Sequence, residues 1–319
     1  MSGFAWINLA LLASCAVWLA SMALPSSNAV RVRNALLLRR GTASDFDWTP
    51  EHVPPGFRVE RRPVPSVIAE AVAAAGIRDV PGDWPRALAL VTLLLRNVRD
   101  EGPIQADLAT TWRGIAAGSG YCADFVRVFL AAASDAGLFC RQWAFSFDGF
   151  GGHGHTVVEV YDRQRARWSF LDVHNNVFAV RTGDQEPLGA TEVRTALLSA
   201  PESLEFRRAG EGRLGFPHAH KLLDYYRRGA PEWYLWFGND VVSRERRGPA
   251  VLVAGWSGRT AHMLSSALGS LPPIVAVVDP RSESAVARME ALRSRVRIAA
   301  TCLVALLTLF VAQAVARRG

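Results

Sequence analysis

The sequence contains little cysteine, and this shortage narrows the chemistry that it can support. Its 319 residues include four Cys, too few for the disulfide framework of a small secreted protein. Cys15 and Cys302 lie inside long apolar runs, and Cys122 and Cys140 do not form a CxxC metal motif. We therefore expect no metal and no organic cofactor, and a lone reactive thiol remains as a candidate.

Lysine is almost absent, and the positive charge of the chain is local. Of 36 basic residues only Lys221 is lysine, and the formal net charge is +7. The excess comes from ten arginines beside two apolar runs: Arg31, Arg33, Arg39, Arg40, Arg288, Arg293, Arg295, Arg297, Arg317 and Arg318. Without these ten and the neighbouring Glu290, 26 basic residues face 28 acidic ones, a net charge of −2. A slightly acidic body argues against nucleic acid as a partner.

Two apolar runs are long enough to cross a membrane. Residues 4–24 and 298–316 contain 21 and 19 residues without a charge, and at about 1.5 Å per residue each covers roughly 30 Å of hydrocarbon. We predict transmembrane helices at residues 1–24 and 298–316, with the lipid bilayer as a partner. The first run is alternatively a cleaved signal peptide, although it lacks the basic segment that precedes the apolar part of such peptides.

The position of the arginines predicts the orientation of these spans. None precedes the first run, four follow it, and four precede the second run. The positive-inside rule then predicts a two-pass protein whose body, residues 25–297, faces the cytoplasm. We expect the membrane to be a bacterial inner membrane. A signal anchor followed by a stop-transfer segment ending in Arg317 and Arg318 would place the body outside, and this alternative stays open.

The body divides into three parts by its residue pattern. Residues 25–66 contain five prolines after position 49 and predict an extended connector. Residues 67–247 show helical spacing and then alternation of period two, which predicts an α+β domain. Residues 248–297 predict a small βαβ-like appendage with strands at 250–254 and 274–278. Its turn has the spacing GxxG and not GxGxxG, so nucleotide binding there stays open.

Within the α+β domain we predict three helices followed by three antiparallel strands. The helices are residues 67–76, 85–99 and 122–136, and the last is apolar nearly all round, which is typical of a buried helix that ends at Gly137. The strands are residues 141–147, 156–161 and 168–172. The tryptophan-rich segment 233–237 is assigned to the core or to a surface near the membrane.

Three residues on these elements suit nucleophilic catalysis by a thiol. Cys122 stands at the first turn of the buried helix, where unpaired N–H groups and the helix dipole stabilise a thiolate. His155 opens one predicted strand and Asp172 ends the strand paired with it. If the helix packs on this sheet, Cys122, His155 and Asp172 converge as a nucleophile, a base and the group that fixes the His tautomer.

Three segments that carry these residues, 120–141, 154–161 and 168–174, resemble the core of the transglutaminase-like superfamily. The resemblance covers residues 85–180 and implies a papain-like fold, in which a helix bearing Cys packs on an antiparallel sheet bearing His and Asp. It implies Cys122 as nucleophile, His155 as base and Asp172 as its orienting residue. Val157 departs from the family pattern, which usually has an aromatic residue there.

Other residues near these motifs are alternative candidates. His153 lies two residues before His155 and is a rival base, His174 is a candidate for the edge of the site, and Cys140 is interpreted as a core thiol. The oxyanion of the reaction would be bound by the Cys122 backbone N–H and a side chain upstream of it, for which Gln105 and Trp112 are the candidates.

The sequence therefore predicts a membrane-anchored cysteine hydrolase or acyltransferase that acts on an amide bond of a peptide or protein through a thioester. The alternative belongs to a different class of protein. Because the superfamily also contains members without activity, the domain could have kept the fold and serve as a binding or assembly module in an envelope or polysaccharide pathway.

Overall fold

The computed structural model describes residues 3–23, 26–99, 102–245 and 271–316, and within them the chain is α+β. The α-helices of this part are α1 Gly3–Ala23, α2 Ser26–Leu37, α3 Ser66–Ala74, α4 Asp83–Leu95, α5 Leu108–Ala116, α6 Cys122–Asp135, α7 Ala190–Ser199, α8 Ala219–Gly229, α9 Val241–Glu245 and α10 Glu283–Val315. The strands are β1 Leu38–Arg40, β2 Cys140–Ser146, β3 Gly154–Asp162, β4 Arg167–Asp172, β5 Val177–Arg181, β6 Leu204–Arg208, β7 Trp233–Trp236 and β8 Ile274–Ala276.

These strands form one mixed sheet in the order β1-β8-β7-β2-β3-β4-β5-β6. All neighbours are antiparallel except β1 and β8, which run parallel. The β2–β3–β4 part is a meander whose connections are short, so its register follows from the alternation of apolar residues along each strand.

Helices cover both faces of this sheet because its central strands are apolar on both sides. In β3, Val158 and Val160 join the core that contains α3 to α6, while Val157 points to the opposite core with α7 and α8. Each fully buried aliphatic or aromatic side chain of this kind contributes about 1.5–3 kcal/mol relative to an exposed one. The sheet is therefore fixed in place between two apolar layers.

Helix α6 lies where the sequence predicts a buried helix. Phe125, Val126 and Phe129 are fully buried, and their burial on several sides of the helix explains its nearly uniform apolar character. Gly137 follows the helix with φ +74°, a left-handed conformation that favours glycine at this position. The predicted strands 141–147, 156–161 and 168–172 likewise correspond to β2, β3 and β4 within a few residues.

Two predicted boundaries differ from the structure. The connector 25–66 contains α2 and β1, which a proline-rich connector does not predict; between Pro25 and Pro50 the sequence contains no proline, so a helix and a strand can form there. The second strand of the predicted appendage, β8, lies in the main sheet between β1 and β7. The sequence does not predict this position because pairing between distant segments leaves no local pattern. The first strand and helix of that unit, at 250–268, lie outside the described residues.

The two ends of the chain form long helices. Among the described residues one helix, α10, is long and apolar enough to cross a membrane. Its first turns are anchored in the body by the buried residues Ala285, Val286 and Met289. Helix α1 packs beside its apolar half, where Asn8 Nδ2 donates a hydrogen bond of 3.4 Å to the Leu306 carbonyl.

Candidate active site

Cys122 is the first residue of α6, and a buried carboxylate two residues later, in the same turn, fixes the backbone around it. Asp124 accepts hydrogen bonds from the N–H groups of Tyr121 (3.0 Å), Gln105 (3.1 Å) and Ile104 (3.1 Å). Gly120 has φ +128°, which favours glycine at this bend into the helix. The thiol therefore lies at a helix N-terminus, and the segment that precedes the helix is fixed by these hydrogen bonds.

His155 and Asp172 are brought together by the β3–β4 pairing. Leu171 is opposite Val158, so Asp172 and His155 lie near each other on one face of neighbouring strands. His155 Nε2 is 2.6 Å from Asp172 Oδ2, and both side chains are almost completely buried. The carboxylate therefore fixes the orientation of the imidazole.

Two further residues complete the shell of donors around Asp172. Asn175 donates to it through its backbone N–H (2.9 Å) and through Nδ2 (2.7 Å). The Tyr226 hydroxyl donates a hydrogen bond to Asp172 Oδ2, the same oxygen that contacts His155. A carboxylate with this many donors is held as the anion and in one orientation.

The thiol of Cys122 lies within electrostatic reach of the His155 ring and raises the pKa of His155, and both residues line the smaller of two cavities at this site. Because Nε2 is engaged by Asp172, Nδ1 is the ring nitrogen left for the sulfur. The helix supplies the thiol, and two adjacent strands supply the imidazole and the carboxylate, so the three side chains converge at one place.

The electrostatics of the pair favour a protonated imidazole and an ionised carboxylate. Burial alone would lower the pKa of His155, but Asp172 and Cys122 outweigh it through charge and hydrogen bonds and raise the pKa to about 10. Burial alone would raise the pKa of Asp172, but His155 and the donors Tyr226 and Asn175 lower it to about 2. An imidazolium is the partner that a thiolate requires.

Two cavities meet at Cys122. The larger, of about 660 Å³, is also lined by Gln105, Phe147 and Arg228. The smaller, of about 260 Å³, is lined by His155, His174, Asn175, Phe216 and Tyr225. Cys122, Tyr121 and Gly154 line both, so the thiol stands at the junction of a groove with two unequal arms.

The two oxyanion candidates are placed differently. Gln105 lines the larger cavity with Cys122 and has φ +50°, an uncommon conformation for a residue other than glycine. Trp112 is 9% exposed and packs in the core beside α6; it lines neither of these two cavities. Of the two, Gln105 is the one placed beside the thiol.

The remaining candidates lie around this centre. His153 is largely exposed and its Nδ1 contacts Asp148 at 3.1 Å, whereas the ring beside Asp172 is that of His155. His174 lines the smaller cavity, with Arg213 Nη2 3.0 Å from its Nε2. Cys140 is buried, and burial raises the pKa of its thiol well above the ordinary value.

Helix α8 is the part of the site that the sequence analysis missed. It contributes Tyr226 to Asp172, Tyr225 to the smaller cavity and Arg228 to the larger one. A helical signal was present, since Leu222, Leu223 and Tyr226 recur at helical spacing, but nothing local relates this segment to a histidine some 70 residues earlier.

Comparison of the chain with protein-family models, with curated proteins and with solved structures finds no match.

Proposed function

We propose that the protein is a transglutaminase-like cysteine hydrolase or acyltransferase with a papain-like core, acting on an amide bond of a peptide or protein. The observation that carries this proposal is the convergence of Cys122 and His155 at one cavity, with Asp172 bonded to the His155 ring. It joins a thiol at a helix start, an imidazole and a buried carboxylate, which is the set of groups that a thiol nucleophile needs.

The chemistry follows from the positions of these groups. The Cys122 thiolate attacks the amide carbonyl carbon, and the His155 imidazolium gives its proton to the leaving nitrogen as the C–N bond breaks. A thioester on Cys122 remains. His155, now neutral, takes a proton from water or from an amine, which attacks the thioester and releases the sulfur. Asp172 holds the ring throughout and stabilises its charged form.

The oxyanion of the tetrahedral intermediate would lie near the first turn of α6. The backbone N–H of Cys122 is one donor, and the Gln105 side chain is the better placed of the two candidate partners because it lines the same cavity. Removing one oxyanion donor commonly costs about 100-fold or more in rate. We expect Gln105→Ala to lower kcat strongly and Trp112→Phe to leave the chemical step unchanged.

The proposal is tested with an electrophilic probe that mimics an acyl amide and labels activated thiols, applied to the full chain in detergent. Labelling should be abolished in Cys122→Ala and retained in Cys140→Ala, because Cys140 is buried and its pKa is raised. His155→Gln should slow labelling severely. Equal labelling of Cys122→Ala and the wild type would refute the assignment of the nucleophile.

Both terminal helices are proposed as membrane spans that anchor this domain. Large apolar side chains of both helices are exposed: Trp6, Ile7, Leu9, Leu11, Val17 and Trp18 on α1, and Ile298, Val304, Leu307, Leu309, Val311 and Val315 on α10. Such a surface is suited to lipid. We place the protein in a bacterial inner membrane, and the arginine distribution favours a cytoplasmic body. An alkaline-phosphatase fusion after residue 60 should then be inactive.

A further inference from the structure

The larger cavity beside Cys122 contains two acidic side chains, and both are already engaged. Asp124 accepts three backbone N–H groups at the start of α6. Asp148 is bonded by Ser146 Oγ at 2.7 Å, by His153 Nδ1 at 3.1 Å and by Arg31 Nη2 at 3.4 Å. Both carboxylates are therefore already hydrogen-bonded, which argues against a cation as their ligand, and His153 is hydrogen-bonded to Asp148.

Arg228 is the charged group of this lining without such a partner. It is exposed near the end of α8, and its guanidinium carbon lies 5.0 Å from the centre of the Phe147 ring. Within the part of the chain that the structure describes, Arg228 forms no ion pair or hydrogen bond. The aromatic ring restricts the guanidinium to the cavity wall and leaves its N–H groups to a ligand.

The position of His155 decides which part of a substrate would meet this arginine. His155 lines the smaller cavity and not the larger one. Since His155 must give its proton to the leaving nitrogen, the leaving group occupies the smaller arm of the groove. The acyl part of the substrate then extends into the larger arm, toward Phe147 and Arg228.

We propose that Arg228 selects acyl donors bearing a carboxylate, so that the substrate class is an amide whose acyl side is anionic. A guanidinium binds a carboxylate through two parallel N–H···O bonds, a geometry that lysine does not offer. The inference rests on the proposed function, because it takes the reacting carbonyl to lie at Cys122.

The first experiment measures charge selectivity at Cys122 without requiring a known substrate. Three methanethiosulfonate reagents are used on the full chain in detergent: anionic sulfonatoethyl, neutral hydroxyethyl and cationic trimethylammonioethyl. Their second-order rate constants at Cys122 are obtained by mass spectrometry of the labelled peptide. The readout is the ratio of the anionic to the cationic rate constant, with the neutral reagent as the internal reference.

Arg228→Gln should lower this ratio by up to about fivefold, as expected for an exposed charge pair, and Arg228→Glu should lower it further. High salt should reduce the wild-type ratio in the same direction. Arg227→Gln is the matched control, because Arg227 is an exposed neighbour on α8 that does not line the cavity, and its ratio should equal that of the wild type. Ratios in both Arg228 variants equal to the wild type would overturn the proposal.

The second experiment addresses the substrate itself. A library of peptide amides that differ only in Glu, Gln or Lys on the acyl side is offered, and kcat/KM is compared. The wild type should favour Glu over Gln, and Arg228→Glu should favour Lys. If Cys122 is required for turnover but this preference is the same in both proteins, the substrate proposal fails and the proposed function stands. If no amide is turned over and Cys122→Ala labels normally with the probe, the function itself fails.

Discussion

Replacing Asp172 by Asn tests the central electrostatic contact, since it removes the charge and keeps the shape. The pKa of the carboxyl falls from 3.8 to about 2 on folding, which corresponds to roughly 2 kcal/mol. The rise of the His155 pKa from 6.5 to about 10 corresponds to roughly 5 kcal/mol, but it includes the attraction of the ring to Cys122. The smaller value is therefore the better measure of what Asp172→Asn should cost.

The sign of the pH dependence follows from the two shifts. The pKa of Asp172 is lowered, so its contribution to stability is present above pH 3.8 and is lost as the pH falls through about 2. The pKa of His155 is raised, so its contribution is complete below pH 6.5 and is lost as the pH rises through about 10. The wild type should exceed Asp172→Asn most between these limits, near pH 5 to 6.5, and by less on either side.

The assay is urea unfolding of the full chain in detergent, followed by the fluorescence of its ten tryptophans. Asp224→Asn is the control, because Asp224 is an exposed carboxylate on α8, and its effect should stay within about 0.5 kcal/mol. A free-energy difference for Asp172→Asn that is as small as the control at pH 6, or that does not change with pH, would refute the reasoning.

Three further predictions concern other contacts in the structure. Tyr226→Phe removes a hydroxyl donor from Asp172 and should lower the free energy of unfolding by about 1 kcal/mol. It should also shift the pH profile for alkylation of Cys122, and an unchanged profile would limit Tyr226 to a packing role. Glu159→Gln removes the counter-charge of the buried Arg141 guanidinium, whose Nε lies 2.6 Å from Glu159 Oε2. The free energy of unfolding should fall by about 3–5 kcal/mol, which is measured as a lower thermal midpoint. An unchanged midpoint would contradict this prediction. Asn8→Leu removes the hydrogen bond between α1 and α10 and should weaken the association of these helices by about 0.6 kcal/mol. Cysteines placed on the two helices should then cross-link more slowly than in the protein with Asn8, and equal rates would argue against the contact.

The parts of the fold that the sequence predicts are those with a strong local pattern. The helix at Cys122 is apolar nearly all round and ends at a glycine, and β2 to β4 alternate and are joined by short connections, so neighbouring strands pair. The same segments carry Cys122, His155 and Asp172, which is why their proximity could be anticipated.

The parts that could not be predicted depend on contacts between distant segments. Strand β8 pairs with β1 across more than 230 residues of sequence, and three-residue strands carry too few positions to show an alternating pattern. Asn175 and Tyr226 reach Asp172 only after β4 and α8 have packed together. The proposed role of Arg228 depends on which acids are already bonded, and a sequence does not give that information.

The pairing of β1 with β8 has a practical meaning for anyone who wishes to prepare this protein without its apolar helices. Leu38 and Ile274 are both buried in this pair, and Arg293 Nη1 donates a hydrogen bond of 2.5 Å to the Leu38 carbonyl. Removing residues 1–49 would strip β1 from the sheet. Removing everything after residue 270 would strip β8 and leave β7 as an apolar edge open to aggregation. A shortened protein should therefore start near residue 26 and end near residue 297.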